Sequence, residues 1–144
     1  MPYLEMCILE TLRMYPFVVV TDRICGKDIT IKGVKFQKGI LVNIPILAFH
    51  YDPLIYPDPE KFKPERFTAE EKAKRSPFHF MPFGYGPRNC IGMRLALLEA
   101  KLAVAHIVRK FKLLPSEKTQ IPIKVEKFKV TPEDGAWMKA EKRE

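Results

Sequence analysis

The chain has 144 residues, 47% of them apolar and 29% charged, with 25 basic against 17 acidic side chains and a net charge of +8. This composition excludes a disordered tail, a collagen-like repeat and a polar low-complexity segment. No run of 18 apolar residues encodes a transmembrane helix, and three scattered cysteines exclude a disulfide framework and read as free thiols of a reducing compartment. The first residues lack a basic and then apolar leader, so no signal peptide is expected. From Lys101 onward 11 basic residues face 6 acidic ones. Such a surface suits nucleic acid, anionic lipid or an acidic protein, and charge alone does not choose among them.

In chain order, Leu4 to Met14 is predicted helical, because Leu4, Ile8, Leu12 and Tyr15 recur at helical spacing. Pro16 ends it. Phe17 to Val20 is β-branched, apolar and extended. A small antiparallel meander is predicted next: Asp28 to Ile31, a Lys32-Gly33 turn, Val34 to Phe36, a turn at Gln37 to Gly39, and Ile40 to Ile44 as a more buried strand. A short helix is expected over 45–50. From Tyr51 to Pro87 the chain is irregular and rich in proline, with Ala69 to Arg75 helical behind Thr68 as N-cap. A long irregular segment is usually functional and must be held by side-chain hydrogen bonds. Met93 to Phe111 gives the strongest helical pattern. Leu95, Leu98, Leu102, Ala105 and Val108 form one face, and Leu97, Val104 and Ile107 widen it, so this helix is expected to be buried on most sides. The tail reads as a hairpin: apolar residues from Ile121 to Val130, a turn over Thr131 to Gly135, and a returning strand over Ala136 to Lys139.

Chemistry concentrates in Phe83-Gly84-Tyr85-Gly86-Pro87-Arg88-Asn89-Cys90-Ile91-Gly92, which runs straight into the long helix. Its glycines permit tight turns and close approach to something flat or bulky. Cys90 precedes a helix N-terminus, where free N–H groups and the dipole favour a thiolate, and Arg88 adds positive charge. Such a sulfur serves as a nucleophile or a metal ligand. The spacing to Arg94 is wrong for a cysteine phosphatase. His50, His79 and His106 are too dispersed for a zinc site, and the Gly-Lys-Ser/Thr ending of a phosphate loop is absent. A catalytic cysteine with a histidine base stays open without a local signature, as does a structural cysteine in a glycine turn.

The decapeptide resembles the heme-binding loop of the cytochrome P-450 superfamily, Phe-x-x-Gly-x-Arg-x-Cys-x-Gly, at Phe83, Gly86, Arg88, Cys90 and Gly92. The resemblance implies Cys90 as the axial thiolate on iron, Arg88 paired with a heme propionate and Phe83 packed near the sulfur. Glu10-Thr11-Leu12-Arg13 resembles the family's Glu-x-x-Arg pair, and Pro64-Glu65-Arg66-Phe67 its meander motif, which implies contact of Arg66 with Glu10 and Arg13 in a structural cluster. Arg23 matches a propionate-binding arginine, while Phe17 to Val20 and the turn near Thr131 match segments beside the substrate. The wording after Cys90 is similar to the microsomal branch that includes xenobiotic oxidases and thromboxane synthase.

The resemblance implies an α+β arrangement with two main helices, a small antiparallel sheet, an irregular meander, the cysteine loop and a C-terminal hairpin. Residues 1–144 are expected to be the C-terminal part of one heme-thiolate domain. Its membrane anchor and distal oxygen-activating helix are expected outside this stretch. Implied with it are heme b, monooxygenation of small apolar substrates with O₂, and electrons from NADPH through a reductase facing Lys101, Arg109 and Lys110. The implied location is the cytosolic face of the endoplasmic reticulum membrane. No residue of this stretch is assigned a catalytic role beyond holding the cofactor. A reductase-independent isomerase and an inactive truncated product remain alternatives. A nucleic-acid module is disfavoured, because aromatics do not interleave with the basic residues.

Overall fold

In the computed structural model, residues 1–121, 123–125 and 132–144 are described. Two long helices dominate: α1 (Pro2–Met14) and α4 (Met93–Lys110). Between them lie strands β1 (Thr21–Ile24), β2 (Ile29–Ile31), β3 (Val34–Phe36) and β4 (Leu41–Ile44), and short helices α2 (Ile46–His50) and α3 (Ala69–Ala73). Strands β5 (Phe111–Pro115) and β6 (Met138–Lys142) follow α4. No described helix is long and apolar enough to cross a membrane. Pro2 at the start of α1 suits a first turn whose N–H groups have no intrahelical partner. Thr68 caps α3, its hydroxyl accepting from the Glu71 N–H at 3.3 Å.

The expected meander is replaced by a long hairpin in two sections. β1 pairs antiparallel with β4, and β2 with β3. From Ile24↔Leu41 to Ile29↔Phe36 both sides advance equally, so one register runs through the interruption. Backbone bonds between Cys25 and the Gly39–Ile40 segment extend the first section, and Asp28 Oδ1 accepts from the Lys38 N–H at 2.7 Å. β4 is not the buried strand its composition suggested; it alternates exposed and half-buried residues.

The C-terminal pairing also differs. β6 pairs with β5, from Phe111↔Lys142 to Pro115↔Met138. The helical pattern takes in Phe111, and no strand is predicted for Lys112 to Pro115. Val125 and Pro132 form a single bridge, and a turn closes from the Gly135 N–H to the Pro132 C=O at 3.3 Å. Phe128, Val130 and Thr131 of the expected hairpin lie outside the described residues.

Burial on α4 is the largest departure from expectation. None of its residues is buried. Met93, Leu97, Ala100 and Ala105 are half-covered, whereas Leu95, Leu98 and Leu102 are more than half exposed. The apolar stripe is present, but no described residue buries it. The total surface, 11206 Å², compares with roughly 7,600 Å² for a folded monomer of this mass.

What is buried centres on polar groups. Leu12, Ile46, Tyr56, Phe67 and Met81 surround Glu10, Arg13, His50 and Arg66. Glu10 and Arg13 share a helix face, and Arg13 Nε and Nη2 grip the two Glu10 oxygens at 2.8 and 3.0 Å. Arg66 Nε stands 3.3 Å from Glu10 Oε1, as the Pro64–Phe67 motif implied. The irregular segment has no ladder for its backbone, so the cluster supplies partners. Arg13 donates to the carbonyls of His50 and Pro59 at 2.8 and 2.7 Å. Arg66 donates to those of Pro57 and Asp58 at 2.6 and 2.9 Å, and Glu10 accepts from the Lys63 N–H at 2.9 Å.

Candidate functional site

The loop leading into α4 starts from this core. Met81 and Pro82 are buried. The Met81 N–H donates to His50 Nε2 at 3.2 Å, Phe80 stacks on the His50 ring at 5.3 Å between centroids and packs on Phe67, and the Tyr56 hydroxyl donates to the His79 C=O at 3.1 Å. Beyond Met81 the backbone closes on itself. The Gly84 N–H reaches the Met81 C=O at 3.0 Å, and the Cys90 N–H reaches the Phe83 C=O at 2.8 Å. Gly84 and Gly86 have φ of +72° and +78°. Only glycine adopts this conformation freely.

A Cβ at Gly86 would meet nothing within 4 Å, so the penalty there is conformational rather than steric. Gly86→Ala is expected to cost about 1–2 kcal/mol. Urea denaturation checks this, and an unchanged midpoint would show that the loop relaxes at no cost.

Cys90 emerges exposed at the mouth of α4. The helix is capped by Gly92, with no side-chain cap and no acidic residue in its first turn. Its positive end therefore meets no competing carboxylate of its own, and an anionic sulfur suits that position. Ile91, next to Cys90, is fully exposed and leads into the uncovered Leu95, Leu98 and Leu102 stripe. Arg88 is exposed in a short 3₁₀ turn over Gly86–Arg88. Arg23, on β1, is half-buried, and its Nη1 donates to Thr21 Oγ1 at 3.1 Å and to the Asp22 C=O at 2.6 Å. Among the described residues no carboxylate pairs with either arginine.

Phe83 is joined to Cys90 by the backbone bond, while its side chain helps line a cleft of about 750 Å³ together with Leu9, Phe67, Phe80 and Met93. Cys90 is not part of that wall, so the cleft and the exposed sulfur are separate features. Lys101, grouped with Arg109 and Lys110 on sequence grounds, is tied to Glu5 of α1 at 3.3 Å. Arg109 and Lys110 are exposed.

Sequence reasoning missed His50, Tyr56 and Arg75. The Arg75 guanidinium lies over the rings of Tyr56 and Phe67 at 4.8 and 5.6 Å and donates to the Arg66 C=O. Desolvation pushes His50 down to about 4 from 6.5, with the nearby Arg13 charge adding to the effect. Between those values the unfolded chain binds a proton that the folded one refuses. The contribution of neutral His50 is therefore full above about pH 6.5 and lost as pH falls toward 4. About 2 kcal/mol of it disappears between pH 7 and 5. The urea midpoint should fall over that interval, and equal midpoints would contradict the buried neutral ring.

A glycine loop, pinned at one end to a buried carboxylate–arginine core, ends on an exposed cysteine just ahead of α4. The cytochrome P450 family profile matches residues 1–139; the chain belongs to the cytochrome P450 family. It is 50% identical over 125 residues to cytochrome P450 3A31 of Mesocricetus auratus, covering 87% of this chain and 25% of that protein. It is 47% identical to cytochrome P450 9e2 of Blattella germanica, covering 99% of this chain and 28% of that protein. With cytochrome P450 3A19 of Capra hircus aegagrus it shares 46% identity over 87% of this chain and 57% of that one. The chain thus spans about a quarter of the length of the first two relatives. Membership in this family implies a heme cofactor.

Proposed function

We propose that residues 1–144 form the heme-binding portion of a heme-thiolate monooxygenase acting on small apolar substrates, with heme b as cofactor. The observation that carries this reading is the exposed Cys90 at the end of the glycine loop, just ahead of α4, a helix whose Leu95, Leu98 and Leu102 are exposed. A sulfur ligand on an exposed glycine loop, followed by a helix with exposed apolar side chains, fits a flat, largely apolar macrocycle with a central metal. Among the described residues no group of three or more ligating side chains offers a bare metal ion an alternative.

In this reading Cys90 would bind the iron, Arg88 and Arg23 would hold the propionates and Phe83 would steady the loop. Among the described residues Arg23 donates through Nη1, which leaves Nε and Nη2 for an anion. Thiolate ligation supplies the electron release that favours O–O cleavage when heme is bound. The chain's own part is to hold the sulfur and orient it through the 83–90 backbone bond. The overall reaction inserts one oxygen atom of O₂ into a C–H bond and reduces the other to water with two electrons and two protons. The electrons come from NADPH through a reductase, for which exposed Arg109 and Lys110 offer an acidic partner a docking charge. The protein works at the cytosolic face of the endoplasmic reticulum membrane.

Product formation by the heme-loaded protein should require both NADPH and reductase. Turnover of a peroxide substrate without NADPH would replace the monooxygenase reading with an isomerase. A heme-loaded protein inert in both assays would favour the inactive product.

A further inference from the structure

We propose that His50 is a positioning residue, bridging α1 to the segment that opens the cysteine loop and thereby setting where the Cys90 sulfur stands. The inference rests on Cys90 being the iron ligand. His50 ends α2 and is fully buried. Its Nε2 lies 3.2 Å from the Met81 backbone nitrogen and its Nδ1 lies 3.0 Å from the Arg13 carbonyl oxygen. These partners fix the tautomer. The Met81 N–H is a donor, so Nε2 is bare; the Arg13 C=O is an acceptor, so Nδ1 carries the proton. Arg13 returns a hydrogen bond to the His50 C=O at 2.8 Å, which locks the two residues together. Phe80 holds the ring plane from the loop side at an interplanar angle of 25°.

From there one sequence of bonds runs to the sulfur-bearing residue. His50 holds the Met81 N–H, the Met81 C=O holds the Gly84 N–H, and the neighbouring Phe83 C=O holds the Cys90 N–H. The charged group facing the ring is Arg13 on α1, itself paired with Glu10; Phe80 and Met81, on the loop side, bring no charge. A protonated ring would present N–H to Met81 N–H, and that link would fail. Desolvation holds the ring neutral near pH 7. The ring thus does more than fill space, since each nitrogen serves a different element.

Two amides separate the roles of the two nitrogens. Gln places an acceptor near the Nε2 position, and Asn places its polar group near Nδ1. In the heme-loaded protein, His50→Gln should keep the thiolate-type ferrous–CO spectrum and the slow exchange of the Met81 N–H. His50→Asn and His50→Phe should lose part of that spectrum and speed Met81 exchange roughly ten-fold, the effect of one lost hydrogen bond. Equal behaviour of the Gln and Asn variants, or wild-type behaviour of all three, would overturn the proposal.

Cys90→Ser, measured alongside, separates the two readings. If it leaves the spectrum unchanged, the ligand assignment fails while Met81 exchange still reports on the bridge. Should the substituted proteins not fold, ¹⁵N spectroscopy of His50 in the unsubstituted protein decides. A bare Nε2 with a protonated Nδ1 at pH 7 is expected, and the opposite tautomer or a charged ring would overturn the proposal.

Discussion

Arg13→Ala should cost about 3–5 kcal/mol, the usual penalty for removing one partner of a buried ion pair. That is a large share of the roughly 5–15 kcal/mol that holds a typical domain together. Both Glu10 and Arg13 have fully buried side chains. Without the guanidinium, Glu10 keeps only the Lys63 N–H and the offset approach of Arg66, and the carbonyls of His50 and Pro59 lose their donor. Arg13→Lys should recover little, because a single ammonium does not reproduce the two-nitrogen grip on Glu10 together with both carbonyl bonds. The measurement is the urea midpoint together with the yield of heme-loaded protein. A variant that folds normally and loads heme fully would show that the cluster is peripheral to stability.

Cys90→Ser should remove the thiolate-type ferrous–CO spectrum completely while changing stability little. The side chain is exposed, and the loop closes through the Cys90 backbone N–H, which serine retains. A hydroxyl is a much poorer anion than a thiol near neutral pH, so the substituted loop offers iron a neutral oxygen at best. The contrast with Arg13→Ala is informative. One change should weaken the fold and the other remove only the ligand, although both residues belong to the same hydrogen-bonded assembly.

The site was more legible than its surroundings. The ten residues from Phe83 to Gly92 carry their geometry in covalent order: glycines where φ is positive at Gly84 and Gly86, and a cysteine just ahead of the helix. Spacing along the helix put Glu10 and Arg13 on one face, but only the family resemblance pointed to a structural cluster rather than a surface pair. Arg66 was reachable only through resemblance, since it meets Glu10 across the whole irregular segment. His50 carried no pattern at all. A lone histidine in an apolar stretch acquires its role from Arg13 and Met81, 37 and 31 residues away.

The failures have similar causes. Periodicity identified which side of α4 is apolar, but burial depends on what packs there, and Leu95, Leu98 and Leu102 face no cover. The strand partner of β4 was misread, and β5 as a neighbour of β6 was missed, because alternation specifies a face and not a neighbour. β4 returns to β1 through one continuous register, and β6 pairs with Phe111–Pro115, of which only Phe111 was predicted in an element, the helix.

Iron X-ray absorption on the heme-loaded protein tests the central claim most directly. One sulfur neighbour of the iron is expected in the unsubstituted protein and none in Cys90→Ser. An iron shell of nitrogen and oxygen alone in the unsubstituted protein, or a sulfur that survives the substitution, would contradict the assignment.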